Sequence, residues 1–185
     1  MTISDLAKSA LGDAARVVER LDERSFESFA QAIAGAKTVA LHGLGREGLQ
    51  MKGLAMRLFH LGLDAHVVGE MTTPPVGPGD LLICSAGPGE FASIAALTRI
   101  AKDAGAKTAI VTAQPASNLA QCADHVLHIP AQTMADDRGA KTSVLPMGSL
   151  FEQSLLLTLD ALVLELMTKI NLDSKTMFIK HANLE

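Results

Sequence analysis

The chain has 185 residues, with 16 lysines and arginines against 20 acidic residues, so its formal net charge is −4 with neutral histidines. This acidic balance, together with the absence of tryptophan and tyrosine, argues against binding to nucleic acid or to an anionic membrane surface. Hydrophobic residues make up 48% of the sequence, which is enough for a sizeable core and argues against disorder. A single domain covering residues 1–185 is expected for this length.

The cysteines and the N-terminal segment indicate where in the cell the protein is expected. Cys84 and Cys122 are far apart and form no Cys-x-x-Cys pair, so neither a disulfide framework nor a zinc signature is predicted. The segment 1–26 contains acids and no continuous apolar run, which is unlike a signal peptide, and no apolar run approaches a membrane span. We therefore expect a cytoplasmic protein that holds no metal and contacts no membrane.

Residues 1–35 are predicted to form a helical arm of one or two amphipathic helices. Apolar residues recur there at helix-like intervals, namely at Leu6, Leu11, Ala15, Val18, Leu21, Phe26, Phe29 and Ile33. Gly35 ends the region, because glycine commonly follows the last turn of a helix.

Residues 36–130 alternate short apolar runs with helical patterns. Strands are predicted at 38–43, 65–69, 81–85, 108–113 and 125–130, and helices at 46–61, 90–104 and 116–123. The alternation predicts an α/β fold, in which a five-stranded parallel sheet is flanked by helices. Sheets of this kind bind ligands at the carboxyl ends of their strands.

The remaining segment, 131–185, is predicted to hold an active-site loop and C-terminal helices. The stretch 131–147 is polar and lacks periodicity, which is typical of a functional loop. A helix over 149–170 has so broad an apolar face that burial on more than one side is expected. A subunit interface would bury it, so a homo-oligomer is predicted.

Two glycine-rich loops follow predicted strands. GLGREG at 43–48 matches G-x-G-x-x-G at a helix start, where backbone N–H groups favour an anion. It is open to interpretation as a dinucleotide site with Glu70 as its acid, as a smaller phosphate or sugar site, or as a tight turn only. SAGPGE at 85–90 leaves the sheet at the same edge, so the two loops together indicate a compact anionic or polyhydroxylated ligand, unless Gly87 and Gly89 only shape a turn.

Glu152 is a candidate general base, because it lies in the first turn of the long helix beside the polar loop. Ser149 and Glu152 also have capping-box spacing, in which the glutamate only bonds back to the helix start. The positive end of the helix is expected to lower the pKa of this carboxyl. Among the histidines, His42 at the end of the first strand and His181 in the tail are candidates for contact with a ligand.

Six motifs resemble the sugar isomerase (SIS) domain family, and within it the 6-phospho-3-hexuloisomerases. They are GLGREG at 43–48, MRLFHLG at 56–62, VGEMTTP at 68–74, GDLLICSAGPGE at 79–90, LPMGSLFEQ at 145–153 and LDSKTMFIKHANLE at 172–185. The resemblance implies a five-stranded parallel sheet between helices and a tetramer or dimer with shared active sites. It also implies an aldose–ketose interconversion through a cis-enediol, without a metal or organic cofactor.

The resemblance also implies roles for individual residues. Glu152 matches the family's base, and His181 matches a histidine supplied by a neighbouring subunit for ring opening or for moving the oxygen-bound proton. Arg46 matches the arginine of the family's first glycine loop, and Thr73 matches a threonine near the family's sugar site. The predicted substrate-binding set is Gly43, Gly45, Arg46, Glu47, Thr73, Ser85, Gly87, Gly89 and Glu90.

Four positions depart from the family, which usually has hydroxyl residues where this chain has Glu47, Ala86, Pro88 and Phe91. The family's hydroxyls are expected to hold a phosphate, and each lost bond to a charged group costs about 1.5–3 kcal/mol. Ser85 and backbone N–H groups offer partial compensation. Alternatively, the loop suits a ligand with a different tail, and Glu47 accepts sugar hydroxyls or pairs with a cation.

Three functions follow from these patterns. The first is an aldose–ketose isomerase of a sugar or sugar phosphate, which the motifs around Glu152 and His181 favour. The alternative is a non-catalytic sensor of a sugar or sugar phosphate on the same fold, suggested by the four missing hydroxyls. A lesser alternative is a dinucleotide-binding oxidoreductase, which rests on GLGREG alone.

Overall fold

The computed structural model describes residues 1–137 and 142–183. Within them the chain forms α1 Ile3–Val18, α2 Glu23–Gly35, β1 Thr38–Gly43, α3 Gly45–His60, β2 Asp64–Val67, β3 Leu81–Ser85, α4 Ala92–Asp103, β4 Lys107–Thr112, α5 Asn118–Gln121, β5 His125–His128, α6 Ser149–Lys169 and α7 Ser174–Ile179. The predicted order of helices and strands is confirmed.

The five strands form one parallel sheet in the order β2-β1-β3-β4-β5. After β2 the chain passes over β1 to form β3 on its other side, so the strand order reverses between β1 and β3. Gly43 at the end of β1 is paired with Ser85 at the end of β3. The two glycine-rich loops therefore leave the sheet side by side, at the kind of switch point where such folds bind ligands.

Helices cover both faces of the sheet, which confirms the predicted α/β class. One face carries α1, α2, α3 and α6 over a core that includes Phe29, Leu41 and Phe151. The other face carries α4 and a smaller core that includes Ile94 and Ile110. All five residues of β3 are buried, because this strand is central and covered on both faces.

The long helix α6 still exposes large apolar side chains after packing on its neighbours. Leu156, Leu157 and Leu164 are 44%, 45% and 65% exposed. They face away from the core formed with α1, α2 and α3, so the broad apolar face predicted from the sequence is only partly buried within one subunit.

Part of the predicted 131–147 loop is anchored to α1 by the buried Asp13. Its carboxylate accepts hydrogen bonds from the Ser143 hydroxyl and from the backbone N–H of Val144. The Ser143 hydrogen bond is the main reason why the pKa of Asp13 is lowered. Residues 138–141, which belong to the same predicted loop, lie outside the described residues.

In the described part of the chain, no helix combines the length and the apolar character that a membrane crossing requires.

Cys84 is buried and Cys122 is exposed, and neither forms a disulfide. Burial raises the pKa of the Cys84 thiol to about 12, so this side chain is an inert part of the core.

Candidate active site

The glycines of the first loop allow α3 to start directly against β1. A side chain at Gly48 would bring its Cβ within 2.5 Å of the Gly43 carbonyl oxygen, so a glycine is required there. Gly45 has a φ of 56°, which is in the left-handed region that glycine adopts without strain. The turn interpretation therefore explains the glycines, and the same close packing holds Arg46 and Glu47 over the strand ends.

Glu47 points inward, to the second glycine loop. Its Oε2 accepts hydrogen bonds from the Ser85 hydroxyl at 2.6 Å and from the backbone N–H of Gly87 at 2.9 Å. The residue is only 8% exposed. Burial raises the pKa of Glu47, and the nearby charge of Glu152 adds to this, although the two hydrogen bonds oppose it.

This geometry bears on two expectations about the altered loop. The Ser85 hydroxyl, expected to compensate partly for the missing phosphate ligands, donates its hydrogen bond to Glu47. Glu47 itself is bonded to protein groups instead of projecting toward a sugar or a cation. Both contacts have one cause, namely that burial beside Gly87 gives the carboxylate two protein donors and leaves it little contact with solvent.

Arg46 joins the starts of α3 and α6. Its Nη1 lies 2.7 Å from Oε2 of Glu152 and donates a hydrogen bond of 2.7 Å to the Ser149 hydroxyl. The Glu152 side chain is 14% exposed, while that of Arg46 is 56% exposed. Although the ion pair is close, Oε2 of Glu152 receives no well-aligned hydrogen bond from any described residue. This largely buried carboxylate therefore has Arg46 as its charge partner, and its unpaired acceptor position is available to a proton.

The capping-box interpretation of Ser149 and Glu152 is wrong. The residue before the first turn of α6 is Gly148, with a φ of 80°, and Ser149 is already helical, so its hydroxyl serves Arg46 instead. The expected lowering of the Glu152 pKa is also wrong. Burial raises it, and this outweighs the opposing effect of Arg46.

The remaining predicted loop residues lie beside this cluster. The Thr73 hydroxyl donates to the Val67 carbonyl at 2.7 Å, in the turn that follows β2. Oε1 of Glu90 accepts from the backbone N–H of Leu119 at 3.2 Å, so this carboxylate serves the start of α5. Gly89 has a φ of 98°. The structure thus brings together Arg46, Glu47, Ser85, Gly87 and Glu152, with Thr73 and Glu90 to either side along the edge of the sheet.

His181 does not join that cluster within one subunit. Its ring stacks at 5.6 Å from that of His60 and at 6.0 Å from that of Phe178. His60 ends α3, whereas Arg46 is in the first turn of the same helix, and fourteen residues of helix span about 21 Å. His181 is exposed at the opposite edge of the sheet from Glu152.

Two residues of the site were not predicted from the sequence as contacts. The Ser149 hydroxyl, seen only as a helix cap, is a partner of Arg46. The Phe151 ring lies where a side chain at Gly87 would project, 2.7 Å from such a Cβ, and so covers the second loop. The sequence signal that could have indicated these contacts is the position of both residues next to Glu152, in the motif at 145–153 that joins a loop to a helix.

A separate cavity of about 400 Å³ opens on the β4 and β5 side of the same edge. Its lining includes Arg16, Arg20, Gln114 and His128, and none of the predicted site residues. No group of three or more metal-binding side chains occurs within 1–137 and 142–183.

Known proteins similar to this chain point to one family. The family model of the SIS domain matches residues 32–157. The 3-hexulose-6-phosphate isomerase of Bacillus subtilis is 43% identical over 159 residues, which cover 86% of each chain. The enzyme of the same name from Mycobacterium gastri is 36% identical over 173 residues, covering 94% of this chain and 86% of the relative.

A solved structure agrees with these sequence matches. It is a Methanococcus jannaschii protein for which a molecular function of 3-hexulose-6-phosphate isomerase was inferred. The two structures have a TM-score of 0.81 with 30% identity, and the match covers 98% of both chains. With its parallel sheet, its paired glycine loops and these relatives, the chain belongs to the SIS domain family.

Proposed function

We propose that this chain is an aldose–ketose isomerase of the phosphosugar isomerase class, with Glu152 as its general base. The observation that carries the proposal concerns Glu152. Burial raises its pKa, and its Oε2, although ion-paired with Arg46, receives no well-aligned hydrogen bond from the residues that the structure describes. A base works best when its pKa is closer to neutral than that of an ordinary carboxyl. The relatives named 3-hexulose-6-phosphate isomerase support the same reaction class.

The reaction needs one carboxylate to move one proton between two carbons. Glu152 takes a proton from the carbon next to the carbonyl, and the electron pair of that C–H bond forms the C=C bond of a cis-enediol. The carbonyl oxygen becomes a hydroxyl by gaining a proton. Return of the carbon-bound proton to the neighbouring carbon, with loss of the proton from the other oxygen, gives the isomer without net change in atoms or electrons.

Arg46 is assigned the stabilisation of negative charge on the enediol oxygens. Its guanidinium carries five N–H donors, and the ion pair and hydrogen bond described above engage only Nη1. With 56% of its side chain exposed, it is accessible to a ligand that reaches Glu152. A fixed cation beside developing negative charge is among the strongest catalytic contributions that an enzyme makes.

The second proton carrier is assigned to the partner subunit's His181, in a dimer or tetramer with shared active sites. Two observations support this assignment. His181 lies far from Glu152 along α3 in one subunit. The exposed leucines of α6 also offer an apolar surface for a second copy.

The substrate-binding assignments are Gly43, Gly45, Arg46, Glu47, Thr73, Ser85, Gly87, Gly89 and Glu90. Glu47 and Ser85, which are bonded to each other, are proposed to line the site as a pair. The partner of the chain is accordingly a small sugar or sugar phosphate, not nucleic acid. We also propose a cytoplasmic location, which the two unpaired cysteines support. The sensor and oxidoreductase alternatives are not favoured, because the relatives above carry an isomerase name.

The test is proton exchange in D2O with a panel of phosphorylated and unphosphorylated ketoses and aldoses, followed by proton NMR. We expect deuterium to enter at the carbon beside the carbonyl, and Glu152→Gln to slow this by about 10³-fold, because an amide cannot accept the proton. Asp160→Asn, two turns further along α6 at an exposed position, is the matched control and should exchange like wild type. Exchange that persists in Glu152→Gln would contradict the assignment of the base.

A further inference from the structure

The meeting point of the two glycine loops already contains an anion, and it is a side chain of this protein. Ser85 and Gly87 each direct a donor to Oε2 of Glu47. Glu47 lies in the first turn of α3, where the partial positive charge of the helix also favours an anion. A hydroxyl, a backbone N–H and a helix start are groups from which proteins build anion sites. Glu47 accepts hydrogen bonds from the first two and lies in the first turn of α3.

Side chains of this protein also occupy the space between the two glycine loops. A Cβ on Gly87 would lie 2.8 Å from Oε1 of Glu47 and 2.7 Å from the Phe151 ring, so both side chains pack directly against the loop backbone. Ala86 is completely buried, and Glu47 is only 8% exposed. An external anion of the size of phosphate would have to displace Glu47 in order to reach Ser85 and Gly87.

The charges near the loops also discriminate between ligands. A phosphate dianion brought to this point would meet the carboxylate of Glu47, with that of Glu152 close enough to raise the pKa of Glu47. A sugar hydroxyl carries no charge, and it both donates and accepts hydrogen bonds. The same site therefore repels a phosphate group and tolerates a hydroxyl.

We propose that Glu47 is a specificity-determining residue that fills the anion site between the two glycine loops, so that the substrate presents an uncharged, hydroxyl-bearing end to them. The substrate part of this inference rests on the isomerase function proposed above, while the exclusion of phosphate rests on the contacts of Glu47 alone. A phosphate group elsewhere on a substrate then has to lie away from Ser85 and Gly87.

The test measures binding of inorganic phosphate by calorimetry, which requires no turnover. Glu47→Ser removes the carboxylate and opens the space, and we expect it to bind phosphate at least about tenfold more tightly than wild type. Glu47→Gln keeps the shape and removes only the charge, so a smaller gain is expected. Glu70→Gln is the matched control, because it removes an exposed carboxylate near the end of β2, at the same edge of the sheet.

The location of the gained binding is tested in a double variant. Adding Ser85→Ala to Glu47→Ser should abolish most of the gain, because the hydroxyl is one of the donors that Glu47 releases. Equal phosphate affinity in wild type and both Glu47 variants would overturn the proposal. An equal gain in Glu70→Gln would also overturn it, since net charge alone would then explain the result.

The deuterium-exchange measurement distinguishes a failure of the proposed isomerase function from a failure of the proposed role of Glu47. If no sugar exchanges deuterium but the phosphate titrations follow the expected order, the isomerase function fails and the role of Glu47 stands. If sugars exchange and wild type binds phosphate as tightly as Glu47→Ser, the isomerase function stands and the role of Glu47 fails. Melting curves of each variant establish that the comparison is made between folded proteins.

Discussion

The two edges of the sheet hold their carboxyl groups in opposite ways. At the carboxyl edge, burial raises the pKa of both Glu47 and Glu152. At the amino edge, burial also acts to raise the pKa of Asp124, but hydrogen bonds from Lys107 and Thr108 outweigh it and lower the pKa to about 2. At the carboxyl edge the effect of burial on the pKa exceeds that of the neighbouring donors and charges, whereas at the amino edge the hydrogen bonds exceed it.

The difference separates a chemical role from a structural one. Asp124 precedes β5 and accepts from the N–H and hydroxyl of Thr108 in β4, so it fixes the register of two neighbouring strands. Asp64 at the start of β2 likewise accepts from the Thr38 hydroxyl of β1, and its pKa is lowered. A carboxylate whose pKa is lowered has little tendency to take up a proton, whereas one whose pKa is raised, such as Glu152, is suited to proton transfer.

After Glu152 itself, Arg46 is the residue of the carboxyl edge whose loss should lower turnover most. Arg46→Gln removes the charge proposed to stabilise the enediol, so we expect turnover to fall by about 10²–10³-fold. Because Arg46 is the group that opposes the rise in the Glu152 pKa, the acidic limb of the pH–rate profile should shift to higher pH. A pH–rate profile that keeps its position would contradict the coupling between Arg46 and Glu152. Arg57→Gln, which removes a cation later in α3, is the control and should leave the profile unchanged.

His181 tests whether the two edges cooperate across subunits. His181→Ala should lower turnover by about 10²-fold, while the free energy of unfolding changes by less than about 0.5 kcal/mol, because the side chain is exposed. Mixing it with Glu152→Gln, after dissociation and reassembly, should restore activity in hybrid sites. A mixture no more active than its components would contradict the sharing of sites.

The tight packing of the second loop predicts a cost in stability. Gly87→Ala places a Cβ 2.7 Å from Phe151 and 2.8 Å from Glu47, so we expect the free energy of unfolding to fall by about 2 kcal/mol. Gly12→Ala in α1 is the matched control, because its nearest neighbour is an Arg16 nitrogen at 3.7 Å. There the better helix propensity of alanine should raise stability by about 0.5–1 kcal/mol, measured by urea denaturation.

The smallest effect expected is a difference in pH dependence between the edges. Asp124→Asn should cost about 1 kcal/mol at neutral pH, and this cost should shrink as the pH falls from the ordinary value of 3.8 toward about 2, where the wild-type carboxylate also becomes protonated. Because the pKa of Glu47 is raised above 4.5, wild type loses stability as the pH rises through that region.

The stability of Glu47→Gln relative to wild type should therefore increase as the pH rises, whereas that of Asp124→Asn relative to wild type should decrease. Denaturant unfolding of both variants and wild type across this range measures the two slopes. Slopes of the same sign would mean that the two edges do not differ as described.

The sequence by itself determined the elements and the positions from which the site is built. The apolar run 81–85 is predicted with the bounds that β3 has, because a buried central strand is apolar throughout and is bounded here by turn residues. The motifs placed Glu152 in the first turn of a long helix, as observed. Both inferences depend on residues that are neighbours in the chain, and local patterns suffice for those.

Only the tertiary structure decided what the side chains contact. Glu47 bonds to Ser85 and Gly87, 38 and 40 positions away, and Arg46 bonds to Ser149, 103 positions away. Strand pairing and helix packing create these contacts, so no spacing in the sequence indicates them. The raised pKa of Glu152 has the same origin, because desolvation depends on everything packed around a group, whereas the helix start that suggested a lowered value is a local feature.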